Sequence, residues 1–129
     1  MKIPEGYLKL VEKIESNEIE VVDLTGSELG ESCLLYIIEK LNSKVKNLKL
    51  TKNKITDDFL AHIIQFLDNI VVLNLGSNQL SEKCLDILIE NRGELTNIKN
   101  IVLTQNKIPE RRNKAKLEKL RGSGVIINI

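Results

Sequence analysis

Aromatic rings are the scarcest building material in this chain. Phe, Tyr and Trp make up 3% of its 129 residues, and Trp is absent altogether. The interior must come from the 42% of apolar residues, mostly Leu, Ile and Val, and such branched aliphatics suit a core of thin repeated layers. Few rings interleaved with basic residues also means few platforms for stacked bases, which argues against a nucleic-acid partner. No apolar run approaches the roughly 20 residues that span a bilayer. Met1-Lys2-Ile3-Pro4-Glu5-Gly6 is followed by no apolar stretch of the signal-peptide kind. The expected setting is therefore the cytosol with no membrane partner, and export by a route that reads no cleavable signal leaves the same pattern.

Residues that carry chemistry are equally sparse. There is one histidine, His62, and there are two cysteines, Cys33 and Cys84. No HxxxH, CxxC, GxGxxG or GxxxxGK[ST] string occurs, so neither a metal nor a nucleotide cofactor is expected. Asp57-Asp58 is a carboxylate pair, but a helix N-terminus accounts for it without catalysis. His62 lies between Leu60 and Ile63, off the apolar stripe, and reads as a surface residue. An enzyme is not expected. The formal net charge of +1 points to no class of partner.

What the chain does have is an internal repeat. Segments Ile19–Leu29, Val45–Ile55, Ile70–Leu80 and Ile98–Ile108 superpose, their starts separated by 26, 25 and 28 residues. Each reads apolar-x-x-apolar-x-Leu-x-x-(Asn/Ser)-x-apolar. Val22-x-Leu24, Leu48-x-Leu50, Leu73-x-Leu75 and Ile101-x-Leu103 alternate with period two, as short strands with one buried face do. A polar turn follows each, then apolar residues at helical spacing: Cys33, Leu34, Ile37, Ile38 and Leu41; Phe59, Leu60, Ile63, Ile64 and Leu67; Cys84, Leu85, Leu88 and Ile89. Thr56-Asp57-Asp58 and Ser81-Glu82 have the character of helix starts, and Gly93 that of a helix stop. Such units bury their apolar faces only by stacking, which places a parallel sheet on one side and helices on the other.

This pattern resembles the leucine-rich-repeat family, in its ribonuclease-inhibitor-like subtype with a full helix in each repeat. Two departures stand out: Ser27 where the family has Asn, and an insertion, Glu94-Leu95-Thr96-Asn97, in the third repeat. The resemblance implies an α/β fold, a short solenoid or horseshoe segment with strands on the concave side and helices on the convex side. The chain is then one domain: residues 1–18 a cap helix bearing Tyr7, Leu8, Leu10, Val11 and Ile14, 19–108 four repeats, and 109–129 a last helix bearing Ala115, Leu117 and Leu120 with an edge strand over Val125–Ile129. Asn53, Asn78 and Asn106 are expected to bond turn backbone rather than ligand. Cys33 and Cys84 fall at equivalent positions two repeats apart. Strands two places apart are roughly 9.5 Å from each other, whereas bridged cysteines need Cα atoms within about 7 Å, so buried free thiols are expected.

The family's binding mode implies a non-catalytic module that holds another protein on the concave face, monomeric or weakly self-associating. The residues pointing there are Val21, Asp23 and Thr25; Asn47, Lys49 and Thr51; Val72, Asn74 and Gly76; and Asn100, Val102 and Thr104. Charge suggests an alternative. Residues 1–32 carry three lysines against eight acids, a net of −5, and residues 107–121 carry seven basic residues against two acids, a net of +5. A basic patch of Arg111, Arg112, Lys116 and Lys119 could meet acidic ligands or nucleic acid, or the two ends could attract head to tail.

Overall fold

The computed structural model describes residues 2–129. Helix α1 (Glu5–Glu15) leads into β1 (Val21–Asp23), and the chain then alternates α2 (Glu31–Ile38), β2 (Asn47–Lys49), α3 (Asp57–Ile63), β3 (Val72–Asn74), α4 (Lys83–Glu90), β4 (Asn100–Val102), α5 (Lys114–Gly122) and β5 (Ile126–Asn128). All five strands lie in one open parallel sheet, in the order β1-β2-β3-β4-β5. Val22, Leu48, Leu73, Ile101 and Ile127 are aligned in register. Leu24, Leu50, Leu75 and Leu103 continue the ladder one step further: each donates its N–H to the next strand at 2.7–2.9 Å. All nine of these side chains are buried in one core shared with the inward faces of the helices.

The turns after the strands are held by a ladder of amides. Asn78 Oδ1 accepts from the N–H groups of Asn53 and Ile55, and its Nδ2 donates to the carbonyls of Leu50, Leu75 and Gly76 at 3.0–3.1 Å. Asn106 repeats the pattern one unit on, accepting from Leu80 N–H and donating to Leu75 and Leu103. Asn53 donates to Leu24 and Thr51 carbonyls. Ser27 is too short to reach back in this way. It donates instead to Asn53 Oδ1 at 2.6 Å and accepts from Leu29 N–H.

The same turn position is left-handed in each unit: Gly26, Lys52, Ser77 and Gln105 have φ of 54–58°. Only the first is glycine, and a side chain costs about 1–2 kcal/mol in this region. Lys52 is exposed and its side chain makes no hydrogen bond among the described residues. Lys52→Gly is therefore expected to stabilise the fold by about 0.5–1 kcal/mol after the entropy of glycine is subtracted. A denaturant midpoint that stayed put or fell would contradict this.

Helix starts follow the residue chemistry. Thr56 Oγ1 accepts from Phe59 N–H at the head of α3, and Ser81 Oγ accepts from Lys83 N–H at the head of α4. Asp57 does more than favour its own helix, because its carboxylate accepts from both the N–H and the hydroxyl of Ser81 in the next unit. Gly93 does not stop α4. The helix ends at Glu90, where Asn91 Nδ2 donates to Ile87 C=O. The inserted Leu95 is buried in the core, while Asn97 Nδ2 donates to Asp68 C=O. At the N-terminus, Val11 and Ile14 of α1 are buried, Tyr7 and Leu10 half-buried, and Leu8 exposed. Ala115 of α5 is also exposed, and only Leu117 and Leu120 of that helix reach the core.

Candidate functional site

Each strand is three residues long, so its middle residue enters the core and the two beside it point to the open face of the sheet. In register these form two rows. The first is Val21–Asn47–Val72–Asn100–Ile126 and the second is Asp23–Lys49–Asn74–Val102–Asn128. Thr25, Thr51, Gly76 and Thr104 make a third, linked through Gly26 N–H to Thr51 C=O, Lys52 N–H to Gly76 C=O and Ser77 N–H to Thr104 C=O. The expected face residues therefore lie together on one surface. Ile126 and Asn128 belong to it as well, a fifth column that the alternation in Val125-Ile126-Ile127-Asn128-Ile129 already carries.

The face is quiet in charge and rich in amides. Asp23 and Lys49 sit opposite each other on β1 and β2. Hydrogen bonds from Thr25 hold the Asp23 carboxyl below its ordinary range, with help from the nearby Lys49 charge. From β3 onward the two strand rows carry no charge at all. Asn74 Oδ1 accepts from Gly76 N–H at 2.9 Å, and Asn128 Nδ2 donates to Asn100 Oδ1 at 3.0 Å. A Cβ at Gly76 would lie 3.2 Å from both Asn74 Oδ1 and Thr104 Oγ1, so glycine keeps the floor open there. One group stands apart. Asn47 Oδ1, between Val21 and Val72, is buried and has no hydrogen-bond partner among the described residues.

The fold has a solved counterpart. A structure described as leiomodin-1 actin-binding site 2 superposes with a TM-score of 0.80 over 98% of this chain and 80% of that one, at 17% sequence identity. At that identity the likeness speaks for the fold alone. No protein-family model matches the chain, and no curated protein matches it.

The basic helix is less free than its composition suggests. Arg112 pairs with Glu82, its Nε 2.9 Å from Oε2, and Lys116 pairs with Asp86 at 3.0 Å. Both acids belong to the start of α4, so two of the cations bridge neighbouring units, while Arg111 and Lys119 make no ion pair among the described residues. Arg112 holds the Glu82 carboxyl below its usual range. That pair is present at neutral pH and is lost as pH falls through the lowered value.

The remaining reactive groups are dispersed. His62 is exposed, beside a shallow hollow lined by Glu31, Asp58 and Phe59. Among the described residues no three His, Cys, Asp or Glu side chains are grouped to hold a metal, and no helix is long and apolar enough to cross a membrane. The cysteines are both free but differ. Cys84 is fully buried, and burial, aided by Asp57 and Asp86, pushes its thiol up to about 12. Cys33, expected to be buried, is half-exposed at the end of the helix row, with its Sγ 3.7 Å from Lys2 C=O. A maleimide at neutral pH should therefore label Cys33 in the folded chain and reach Cys84 only in denaturant. Equal labelling of both in the folded chain would be at odds with this core.

Proposed function

We propose that this chain is a non-catalytic leucine-rich-repeat solenoid that binds a protein partner on the concave, open face of its sheet. The observation that carries the reading is the open face itself, two registered rows of amide and apolar side chains that carry no charge from β3 onward. Asn74, Asn100 and Asn128 offer amide groups to a bound polypeptide, and Val21, Val72, Val102 and Ile126 offer apolar contact beside them. The leiomodin-1 structure that shares the fold is described as a site that binds actin, itself a protein, and so agrees with this use of the architecture. The basic helix has weaker support, because Arg112 and Lys116 are already occupied within the chain.

The test is partner capture with immobilised protein. Lys49→Glu and Asn74→Arg are expected to lose the partner that the wild type retains, while Arg111→Glu/Arg112→Glu/Lys116→Glu keeps it; the reverse result would move the site to α5. Asn47→Val separates binding from folding. It changes a half-buried side chain of the open face, so stability should stay within about 1 kcal/mol of wild type, while affinity for the captured partner falls about tenfold. A variant that lost stability and kept affinity would defeat the reading.

A further inference from the structure

We infer that the two free edges of the sheet are a matched pair, through which the chain associates head to tail with a second copy of itself. Three observations meet there. The first is the parity of the hydrogen bonds. Across every internal pair, core-facing residues of one strand bond to face-lining residues of the next: Leu24 N–H to Lys49 C=O, Leu50 to Asn74, Leu75 to Val102, and Leu103 to Asn128. Parallel ladder geometry then leaves the backbone N–H and C=O groups of Val21 and Asp23 directed to the outer edge of β1, and those of Ile127 and Ile129 to the outer edge of β5. The last strand thus ends on core residues and the first begins on face residues, the combination used at every internal junction. Laying β1 of a second copy beside β5 continues the ladder. Ile127 N–H donates to Val21 C=O of the second copy, Asp23 N–H of the second copy donates to Ile127 C=O, and Ile129 N–H donates to Asp23 C=O of the second copy.

The second observation is apolar. Among the described residues the large apolar side chains left exposed are Leu8, Val21 at 46% and Ile126 at 60%. Val21 and Ile126 stand at opposite ends of the same row. Stacking places them side by side and brings both to the half-buried state of Val72 in the same row.

The third is electrostatic. The N-terminal quarter of the chain has a net charge of −5 and residues 107–121 a net of +5, and ion pairs with Lys44, Glu82 and Asp86 outside those segments leave −4 and +3. One cation holds the edge itself: Arg121 Nη2 donates to Ile127 C=O at 2.9 Å, the acceptor that an added strand needs. That carbonyl has a second lone pair, which Asp23 N–H of a second copy can take while the Arg121 guanidinium stays in place. Meeting of like ends is disfavoured, since it joins two basic or two acidic surfaces. The contact is heterologous and leaves one edge free at each end of the pair.

Sedimentation equilibrium on the full chain tests this with two variants at exposed positions, Val21→Lys and Ile126→Lys, whose folding is checked by circular dichroism. The wild type is expected to show an average mass that rises with concentration at low salt and rises less at high salt. Each variant alone stays at the mass of one chain. An equimolar mixture of the two forms a species of two chains and nothing larger, because one intact β5 edge meets one intact β1 edge. A wild type that is monomeric at every concentration overturns the inference, as does Val21→Lys associating on its own. Either failure leaves the reading of the open face standing, since partner capture decides that separately.

Discussion

Asn78→Ala will lower the unfolding free energy by about 3 kcal/mol, more than any surface change in this chain. The substitution strands the N–H groups of Asn53 and Ile55 and the carbonyls of Leu50, Leu75 and Gly76. Some of these groups turn to water, because Asn78 is only half-buried, and that keeps the loss below the sum of five unmade bonds. Aspartate in its place keeps the acceptor but sets a carboxylate oxygen against the carbonyls of Leu50, Leu75 and Gly76, so Asn78→Asp should lose at least as much as alanine. Denaturant unfolding of the three proteins checks the order. An alanine variant within about 0.5 kcal/mol of wild type would mean that the amide is not what holds neighbouring turns together.

Leu73→Ala is expected to cost about 3–4 kcal/mol, for a different reason. Leu73 is fully buried on the central strand, aligned with Leu48 on one side and Ile101 on the other. Short strands flanked by helices leave little freedom to collapse onto a cavity there. Ile127 is aligned in the same row but lies on the edge strand and is 4% exposed. Ile127→Ala should cost about half as much, because water reaches the vacated space from the open edge. Equal losses at the two positions would argue that the core does not run as one layer from β1 to β5.

Much of the fold was legible because its signals are local and repeated. The Leu-x-Leu alternation, the polar turn and the helical stripe each recur within a dozen residues, so register could be read by superposing one unit on another. The amide ladder followed from the same alignment, since only one polar position recurs at the end of each turn. What escaped belongs to ends and to contacts between units. Cys33 and Cys84 hold the same place in their repeats, yet Cys84 lies between the helices on either side of α4 while Cys33 lies near the N-terminal end of the row. Leu8 reads as part of an apolar stripe, but the stripe on α1 is wider than the surface it covers. Arg112 and Lys116 looked like free cations because their acids, Glu82 and Asp86, lie 30 residues earlier. Nothing near either residue in the chain announces the pairing.

The candidate face divides in the same way. The direction in which each residue points was given by the period of two. The buried setting of Asn47 Oδ1 and the close approach of Asn74 and Thr104 to the Gly76 position depend on what neighbouring strands place alongside, and only the folded chain shows that.

The most direct test of the account is a nitrogen–proton correlation spectrum of the labelled chain, recorded with and without a captured partner. Side-chain amides of Asn47, Asn74 and Asn100 report on the open face, and guanidinium and backbone signals of Arg111–Arg121 report on α5. The Asn47 amide and the backbone signals of Lys49, Val72 and Val102 are expected to shift together. Shifts confined to α5, or to the helices behind the sheet, with Asn47 unmoved, would contradict it.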